Sequence, residues 1–296
     1  MAVDKSYLAR LSSDEPTAHR VMNAVAEVLD PEGIAAAVFA QPGGRWAVEL
    51  HFTRQPDAGH LRDLVGRVAG QSAARALTIA TVAPRDWVAA SLTELKPVGA
   101  GRFVIHGRHD RARVAPNRIA VEVEAALAFG TGHHGTTRGC LSALDALVKR
   151  QRKRPRILDL GTGSGVLAIA AAKAFRAPVL ASDIDRTAVN AARENARLNC
   201  AAAWVSVVHA ASVTSPQVRA HAPYDVVFAN ILLGPLKKLA APLARLLAPN
   251  ARVVLSGLLP PQANAAMASY YAHGLVLERR IELDGWATLV MTRPIR

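Results

Sequence analysis

The stretch Ile157-Leu158-Asp159-Leu160-Gly161-Thr162-Gly163-Ser164-Gly165 decides the fold. An apolar run that enters a glycine-rich turn predicts a buried strand, a tight turn and a helix. In α/β folds such a turn lies at the carboxyl edge of a parallel sheet, where ligands bind. The third glycine comes one residue earlier than in the GxGxxG fingerprint of dinucleotide-binding proteins. The spacing therefore favours a ligand that has no pyrophosphate.

Strands and helices alternate on both sides of this turn. Strands are predicted over 156–160, 178–183, 204–208, 224–229 and 252–256, with helices between them that reach 175, 198 and 247. Such alternation indicates a parallel sheet with helices on both faces. Segments 275–283 and 286–292 flank Asp284-Gly285, a strong hairpin signal. We therefore expect a Rossmann-like α/β sheet with an antiparallel final strand, the arrangement of class I methyltransferases.

Acidic residues near the glycine turn suit S-adenosylmethionine, which has no phosphate and carries a positive sulfonium. Asp183 ends the second predicted strand, 22 residues after Gly161, where a carboxylate can accept hydrogen bonds from both ribose hydroxyls. A helix N-cap is its alternative role, for which Asp185 is better placed. Asp159 either orders the glycine loop or lies near the methionine amine.

The fourth predicted strand ends in Phe228-Ala229-Asn230-Ile231-Leu232-Leu233. At this strand end Asn230 can hold an acceptor amine through a carbonyl oxygen, although it could also be a loop or capping residue. Methyltransferases that act on planar amides or base amines carry two prolines and an aromatic ring here. Their absence argues against adenine and glutamine acceptors. Asn230 is the candidate catalytic residue because this strand end faces the transferred methyl group in methyltransferases.

A second glycine-rich stretch, 127–137, leads into the helix that precedes the sheet. Its glycines allow it to fold over a ligand as a lid, with threonine hydroxyls as hydrogen-bonding groups. Phe129, Thr131 and Gly132 are candidate cofactor contacts in this stretch, together with Gly163 in the first turn. His133-His134 has no clustered Cys, Asp or Glu partner, so we predict no metal site.

The first part of the chain has a different pattern. Helical spacing over 16–29 precedes strands at 34–40 and 45–52, a helical stripe from Leu61 to Val68, and a strand at 77–82. This order predicts a smaller α+β domain of split-βαβ, ferredoxin-like type. The segment after it is rich in Pro, Gly, His and Arg. We predict a recognition domain over 1–95, a connection over 96–118 and a methyltransferase domain over 119–296.

Bulk composition limits the setting. The formal net charge of +13 indicates attraction to a polyanion, which leaves general basicity and specific nucleic-acid binding both open. Cys140 and Cys200 are far apart in sequence and support neither a disulfide framework nor a thiolate metal site. No signal-like segment and no charge-free apolar run of about 18 residues occurs. We expect a cytoplasmic protein that does not enter a membrane.

The two glycine-rich stretches and Ala229-Asn230-Ile231-Leu232 together resemble the PrmA family. The resemblance extends over 87–286 and includes 101–107 in the connection, whereas the first eighty residues match in outline. It implies S-adenosylmethionine-dependent methylation of lysine and N-terminal amines of the eleventh protein of the large ribosomal subunit. By the same resemblance the cofactor contacts are Thr137, Gly161, Asp183 and Asn230, and the first domain grips the ribosomal protein.

Several alternatives remain at this point. A related group of lysine methyltransferases acts on a flavoprotein subunit but typically lacks so long a leading domain. A ribosomal RNA acceptor would account for the charge, and incidental contact with ribosomal RNA is expected in either case. A cofactor-sensing or ribosome-assembly protein without turnover is the non-enzymatic alternative, against which the intact glycines, Asp183 and Asn230 argue.

Overall fold

The computed structural model describes residues 6–28, 34–41, 43–52, 54–82, 97–123, 135–150 and 154–295. They fall into two compact units, Met1–Ser91 and Leu92–Arg296. Within the described ranges, no helix is long and apolar enough to cross a membrane.

The first unit is a four-stranded antiparallel sheet packed with helices. Its elements in chain order are β1 (Ser6–Ser13), α1 (Glu15–Val28), β2 (Ile34–Ala40), β3 (Trp46–Phe52), α2 (Ala58–Ala69), α3 (Gln71–Ala76) and β4 (Thr78–Val82). The spatial order is β2-β3-β1-β4. Leu11, Val21, Val48, Leu50 and Leu64 are buried between sheet and helices. The ferredoxin-like prediction is confirmed.

Strand β1 is one of the elements that the sequence pattern did not indicate, as is the short helix α3. Strand β1 lies in the middle of the sheet, with Leu11 opposite Val48 of β3 and Ala9 opposite Ile79 of β4. Its outward face carries Arg10, paired with Glu49 at 3.3 Å. Because a central strand takes hydrogen bonds from two neighbours, it can form from a segment with a weak hydrophobic alternation.

The second unit contains a three-stranded and a seven-stranded sheet with six helices in the described ranges. The smaller sheet holds β5 (Val98–Ala100), β6 (Phe103–His106) and β7 (Ile119–Glu122). The strands of the larger sheet are β8 (Ile157–Leu160), β9 (Val179–Asp183), β10 (Val205–His209), β11 (Tyr224–Asn230), β12 (Leu247–Leu258), β13 (Val276–Leu283) and β14 (Trp286–Thr292). The helices are α4 (Gly135–Arg150), α5 (Val166–Phe175), α6 (Arg186–Leu198), α7 (Pro216–Ala220), α8 (Leu233–Ala244) and α9 (Ala263–Tyr271).

The larger sheet has the order β10-β9-β8-β11-β12-β14-β13. Strands β8 to β12 are parallel, and β14 inserts antiparallel between β12 and β13. The predicted Rossmann-like sheet with an antiparallel final strand is confirmed. Two apolar layers cover its faces, one containing Ile169 and Phe228 and the other Leu158 and Tyr270.

The segment after the first unit carries structure of its own. Phe103 and Ile105 of β6 belong to the same apolar cluster as Leu141 and Leu144 of α4, so β6 packs into the core of the second unit. The predicted boundaries, 1–95, 96–118 and 119–296, stay predictions. The structure adds that 98–106 contributes two strands and buried side chains to the second unit.

Candidate functional site

A row of residues crosses the carboxyl edge of the larger sheet. Strand register aligns His209 with Asp183, and Asn230 with Ser256. Leu160 of β8 lies opposite both Ser182 and Ala229, so Gly161, one residue further, lies between Asp183 and Asn230. Two strand spacings of roughly 4.8 Å each separate Asp183 from Asn230. The predicted ribose-binding residue Asp183 and the predicted amine-binding residue Asn230 therefore lie roughly 10 Å apart at the same edge of the sheet.

The glycine turn follows β8 in a conformation that disfavours side chains. Gly161 has a φ of +64°, and a Cβ there would overlap Cγ2 of Ile231. Gly163 has a φ of +54° and turns its N–H toward the next strand. The N–H of Thr162 donates to the carbonyl of Ser182 at 3.0 Å. This hydrogen bond holds the turn against β9, so the backbone of the turn lies at the carboxyl edge of the sheet.

Asp159 orders this turn from below. Its Oδ2 accepts from the Thr162 hydroxyl at 2.6 Å and from the Ala168 N–H at 3.1 Å, and the residue is 1% exposed. Burial raises the pKa of the Asp159 carboxyl to about 7, against the lowering effect of these two hydrogen bonds. Of the two roles that the sequence left open, these contacts support the ordering of the glycine loop.

Asp183 links the turn to the start of α6. Its Oδ2 accepts from the Gly163 N–H at 2.8 Å and its Oδ1 accepts from the Asp185 N–H at 3.0 Å. Asp185 is the N-cap of α6 and accepts from the Thr187 N–H, as the sequence suggested. Each oxygen of a carboxylate can accept two hydrogen bonds, so Asp183 keeps acceptor capacity for two ligand hydroxyls.

Asn230 contacts the first turn of α4. Its Nδ2 lies 3.5 Å from Oγ1 of Thr136, a long hydrogen bond. The Ser256 hydroxyl donates to the Thr136 carbonyl at 3.2 Å and lies 2.8 Å from Oγ1 of Thr288. The candidate catalytic residue is therefore joined to a buried polar network that spans α4, β12 and β14.

The remaining predicted contacts divide into two groups. Thr137 is 2% exposed in the first turn of α4, next to Thr136. Phe129, Thr131 and Gly132 lie outside the described residues, and so does most of the stretch predicted to form a lid. The assignment of cofactor and catalytic roles to individual residues stays a prediction.

Three further residues at this edge were not singled out from the sequence, although Thr136 belongs to the stretch 127–137 whose threonine hydroxyls are expected to form hydrogen bonds. Thr136 and Ser256 are hydroxyl residues in apolar surroundings, whose proximity depends on the packing of α4 against β12. Ile184 directly follows Asp183 and is 58% exposed. The sequence carried no distinct signal for Ile184, because single apolar residues are common on protein surfaces.

Comparison with known proteins gives a consistent result over nearly the whole chain. The model of the family described as ribosomal protein L11 methyltransferase (PrmA) matches residues 25–294. A ribosomal protein L11 methyltransferase of Rhodopseudomonas palustris is 53% identical over 95% of this chain and 95% of its own length. Its counterpart in Bradyrhizobium diazoefficiens is 53% identical, with 94% of each chain covered.

A solved structure supports the same likeness. The crystal structure of a ribosomal protein L11 methylase from Lactobacillus delbrueckii subsp. bulgaricus superposes with a TM-score of 0.61 at 25% sequence identity. The match covers 68% of this chain and all of the other.

Proposed function

The chain belongs to the ribosomal protein L11 methyltransferase (PrmA) family, and from that membership we propose that it methylates lysine side-chain and N-terminal amines of ribosomal protein L11. The methyl donor is S-adenosylmethionine. The observation that carries the proposal is the alignment of Asp183, Gly161 and Asn230 along one sheet edge. Along this row Asp183 can accept hydrogen bonds from the ribose of the methyl donor, Gly161 has an exposed backbone, and Asn230 can hold the amine that receives the methyl group.

The residues present fit the proposed donor. Asp183 has acceptor capacity for ribose hydroxyls, and Ile184 offers an exposed apolar side chain next to it. Gly161 is exposed and Gly163 is partly exposed, so the backbone of the turn is accessible to a ligand. We propose Thr137, Phe129, Thr131, Gly132 and Asn230 as the remaining contacts. When bound, S-adenosylmethionine supplies an electrophilic methyl group on a cationic sulfur, which the carboxylate of Asp183 and the dipole of an amide carbonyl favour.

Asn230 orients the acceptor amine. With Nδ2 directed to Thr136, the side-chain carbonyl Oδ1 and the backbone carbonyl are the groups that can accept an amine N–H. Holding the N–H bonds in this way directs the nitrogen lone pair toward the methyl group. Most of the rate enhancement then comes from positioning, for which a correctly oriented pair of reactants has a large effective concentration.

The acceptor nitrogen must be neutral to attack. A free lysine amine has a pKa of about 10.4, so it loses a proton before each transfer. Desolvation at the sheet edge and a neighbouring positive charge both lower that pKa. We therefore propose that the reaction needs no dedicated strong base, with Asn230 holding the neutral amine in place.

The first unit is proposed to recognise the ribosomal protein, and the protein is proposed to act in the cytoplasm. The formal charge of +13 supports incidental attraction to ribosomal RNA as well. The absence of prolines and an aromatic ring in Ile231-Leu232-Leu233 supports a flexible amine rather than a planar base as acceptor.

The decisive experiment uses methyl-labelled S-adenosylmethionine with purified L11 and with ribosomes. Parallel samples receive protease or nuclease before mass spectrometry locates the label. We expect label on lysines and the amino terminus of L11. Label on RNA would mean that RNA is the acceptor in place of L11. Binding of the donor without any methyl transfer would indicate a cofactor-sensing protein.

A matched pair of variants tests Asn230. We expect Asn230→Ala to lower kcat at least about tenfold, because the variant loses a hydrogen bond that orients the amine in the transition state. Asn264→Ala, an amide on the exposed face of α9, is expected to keep full activity. Full activity of Asn230→Ala with normal donor binding would refute the assignment.

A further inference from the structure

Leu232 begins helix α8 without a cap. It occupies the N-cap position with φ −62° and ψ 154°, and the helix has no side-chain cap hydrogen bond there. Ser, Thr, Asp and Asn are preferred at this position because their side chains accept from the first free N–H groups of a helix. A leucine here forgoes that stabilisation.

The same leucine is open to solvent. It is 41% exposed, one of six large apolar side chains that are exposed in the described part of the chain. Gly234, two residues on, has no atom within 4 Å of the place where a Cβ would stand. Glycine lowers helix stability relative to alanine. Because a Cβ would meet open space here, close packing does not explain why position 234 is a glycine. Leu232 and Gly234 are thus both unfavourable residues for the start of a helix. Residues that are unfavourable for the local structure often occur at functional sites.

The neighbours of Leu232 have partners within the protein. Ile231 places its Cγ2 over Gly161, and Leu233 packs against the apolar cluster that contains Leu236. Ile231 and Leu233 are partly buried, whereas Leu232 between them is exposed. Leu232 follows Asn230 by two residues along the chain, directly after the strand end that carries the candidate catalytic residue.

We propose that Leu232 is a specificity-determining residue that packs against the methylene stem of an acceptor lysine. The inference rests on the proposed function. A lysine amine stands at the end of four methylene groups, and such stems bury along apolar surface while the amine remains in a polar environment. An N-terminal α-amine is attached directly to Cα and has no stem. Leu232 therefore contributes to methylation of lysines and contributes little to methylation of the amino terminus.

The test compares the two kinds of acceptor within one sample. Wild-type enzyme, Leu232→Ser and Leu232→Met are each given intact L11 and labelled S-adenosylmethionine. Mass spectrometry at low conversion gives the ratio of label on lysines to label on the amino terminus, which equals the ratio of their kcat/KM values. We expect Leu232→Ser to lower this ratio roughly five- to twentyfold, the effect of removing part of a leucine contact. Leu232→Met, which keeps the apolar area, should hold the ratio within about twofold.

Two control measurements separate specificity from folding. Leu232→Ser creates a favourable N-cap, so its Tm should equal or exceed that of the wild type. Its affinity for S-adenosylmethionine should be unchanged. An equal loss at both kinds of amine, or an unchanged ratio in Leu232→Ser, would overturn the inference. Absence of amine methylation by the wild-type enzyme would instead refute the proposed function on which it rests.

Discussion

The backbone N–H of Gly163 donates a hydrogen bond to Oδ2 of Asp183 across 2.8 Å. This bond joins the glycine turn after β8 to the end of β9, the two strand ends between which the donor is proposed to bind. The carboxylate thereby shapes the loop, and it is also the proposed ribose acceptor. A change at Asp183 should alter both functions.

The first prediction concerns the affinity for S-adenosylmethionine. Asp183→Asn replaces one acceptor oxygen by an NH₂ group, which then faces the N–H of Gly163 or of Asp185. We expect the Kd of the donor to rise about ten- to hundredfold, because a hydrogen bond to a charged group is lost and a ribose contact with it. Isothermal titration calorimetry measures the change.

Asp185→Asn is the matched control for this prediction. Asp185 is an exposed N-cap two residues away, and asparagine caps helices as well as aspartate does. Its donor affinity should equal that of the wild type. Equal weakening in both variants would mean that the effect comes from the loop and not from a contact with the ligand.

The second prediction is a pH dependence of stability that arises from Asp159. Burial raises its pKa in the folded protein to about 7 from an ordinary value of 3.8, so the folded state binds the proton more tightly than the unfolded state. The resulting stabilisation is fully present below the unfolded pKa and is lost as the pH rises through the folded pKa. Asp159→Asn has no such titration.

Urea unfolding of the unliganded protein at pH 5 and pH 8 measures this effect. The free energy of unfolding of the wild type, relative to Asp159→Asn, should fall by roughly 2 to 3 kcal/mol between these pH values. A wild-type difference that does not vary with pH would contradict the raised pKa of Asp159.

The third prediction tests the contact between α4 and β14. A Cβ at Gly139 would overlap Oγ1 of Thr288, whose hydroxyl is bonded to Ser256. Gly139→Ala should therefore destabilise the protein by about 1–3 kcal/mol, although alanine raises helix propensity. Gly234→Ala, where the space is open, should leave stability unchanged or raise it by up to about 1 kcal/mol.

A double variant identifies the cause of that destabilisation. Thr288→Ala removes the overlapping atom, so the combined loss in Gly139→Ala/Thr288→Ala should be smaller than the sum of the single losses by at least about 1 kcal/mol. Chemical denaturation of all four proteins gives the coupling. Additive losses would show that the two residues do not restrict one another.

The fourth prediction distinguishes the two thiols. Cys140 is buried, and burial raises its pKa to about 12, whereas Cys200 is exposed. Because the thiolate is the reactive species, a maleimide at pH 7 should label Cys200 and leave Cys140 unmodified until the protein is denatured. Mass spectrometry of tryptic peptides reads the result. Fast labelling of Cys140 in the folded protein would contradict the burial of its side chain.

Part of the architecture was predictable because it depends on local pattern. Buried strands at β8 and β9, the glycine turn and the Asp284-Gly285 hairpin each leave a signal within a few residues. Strand β1 did not, since its two neighbours in the sheet stabilise a segment of weak alternation. Helix α9 was also missed, and α8 ends at Ala244 instead of near 247, since helix ends depend on what packs against them.

The sequence by itself determined the type of sheet, the position of the glycine turn and the candidate residues Asp183 and Asn230, because strand ends of a parallel sheet meet at one edge. The tertiary structure alone decided which residues stand beside them. Thr136 meets Asn230 from a distance of 94 positions along the chain, and Ser256 meets Thr288 across two neighbouring strands. Such contacts depend on how helices and strands pack, and a residue's own neighbours in sequence carry no record of that packing.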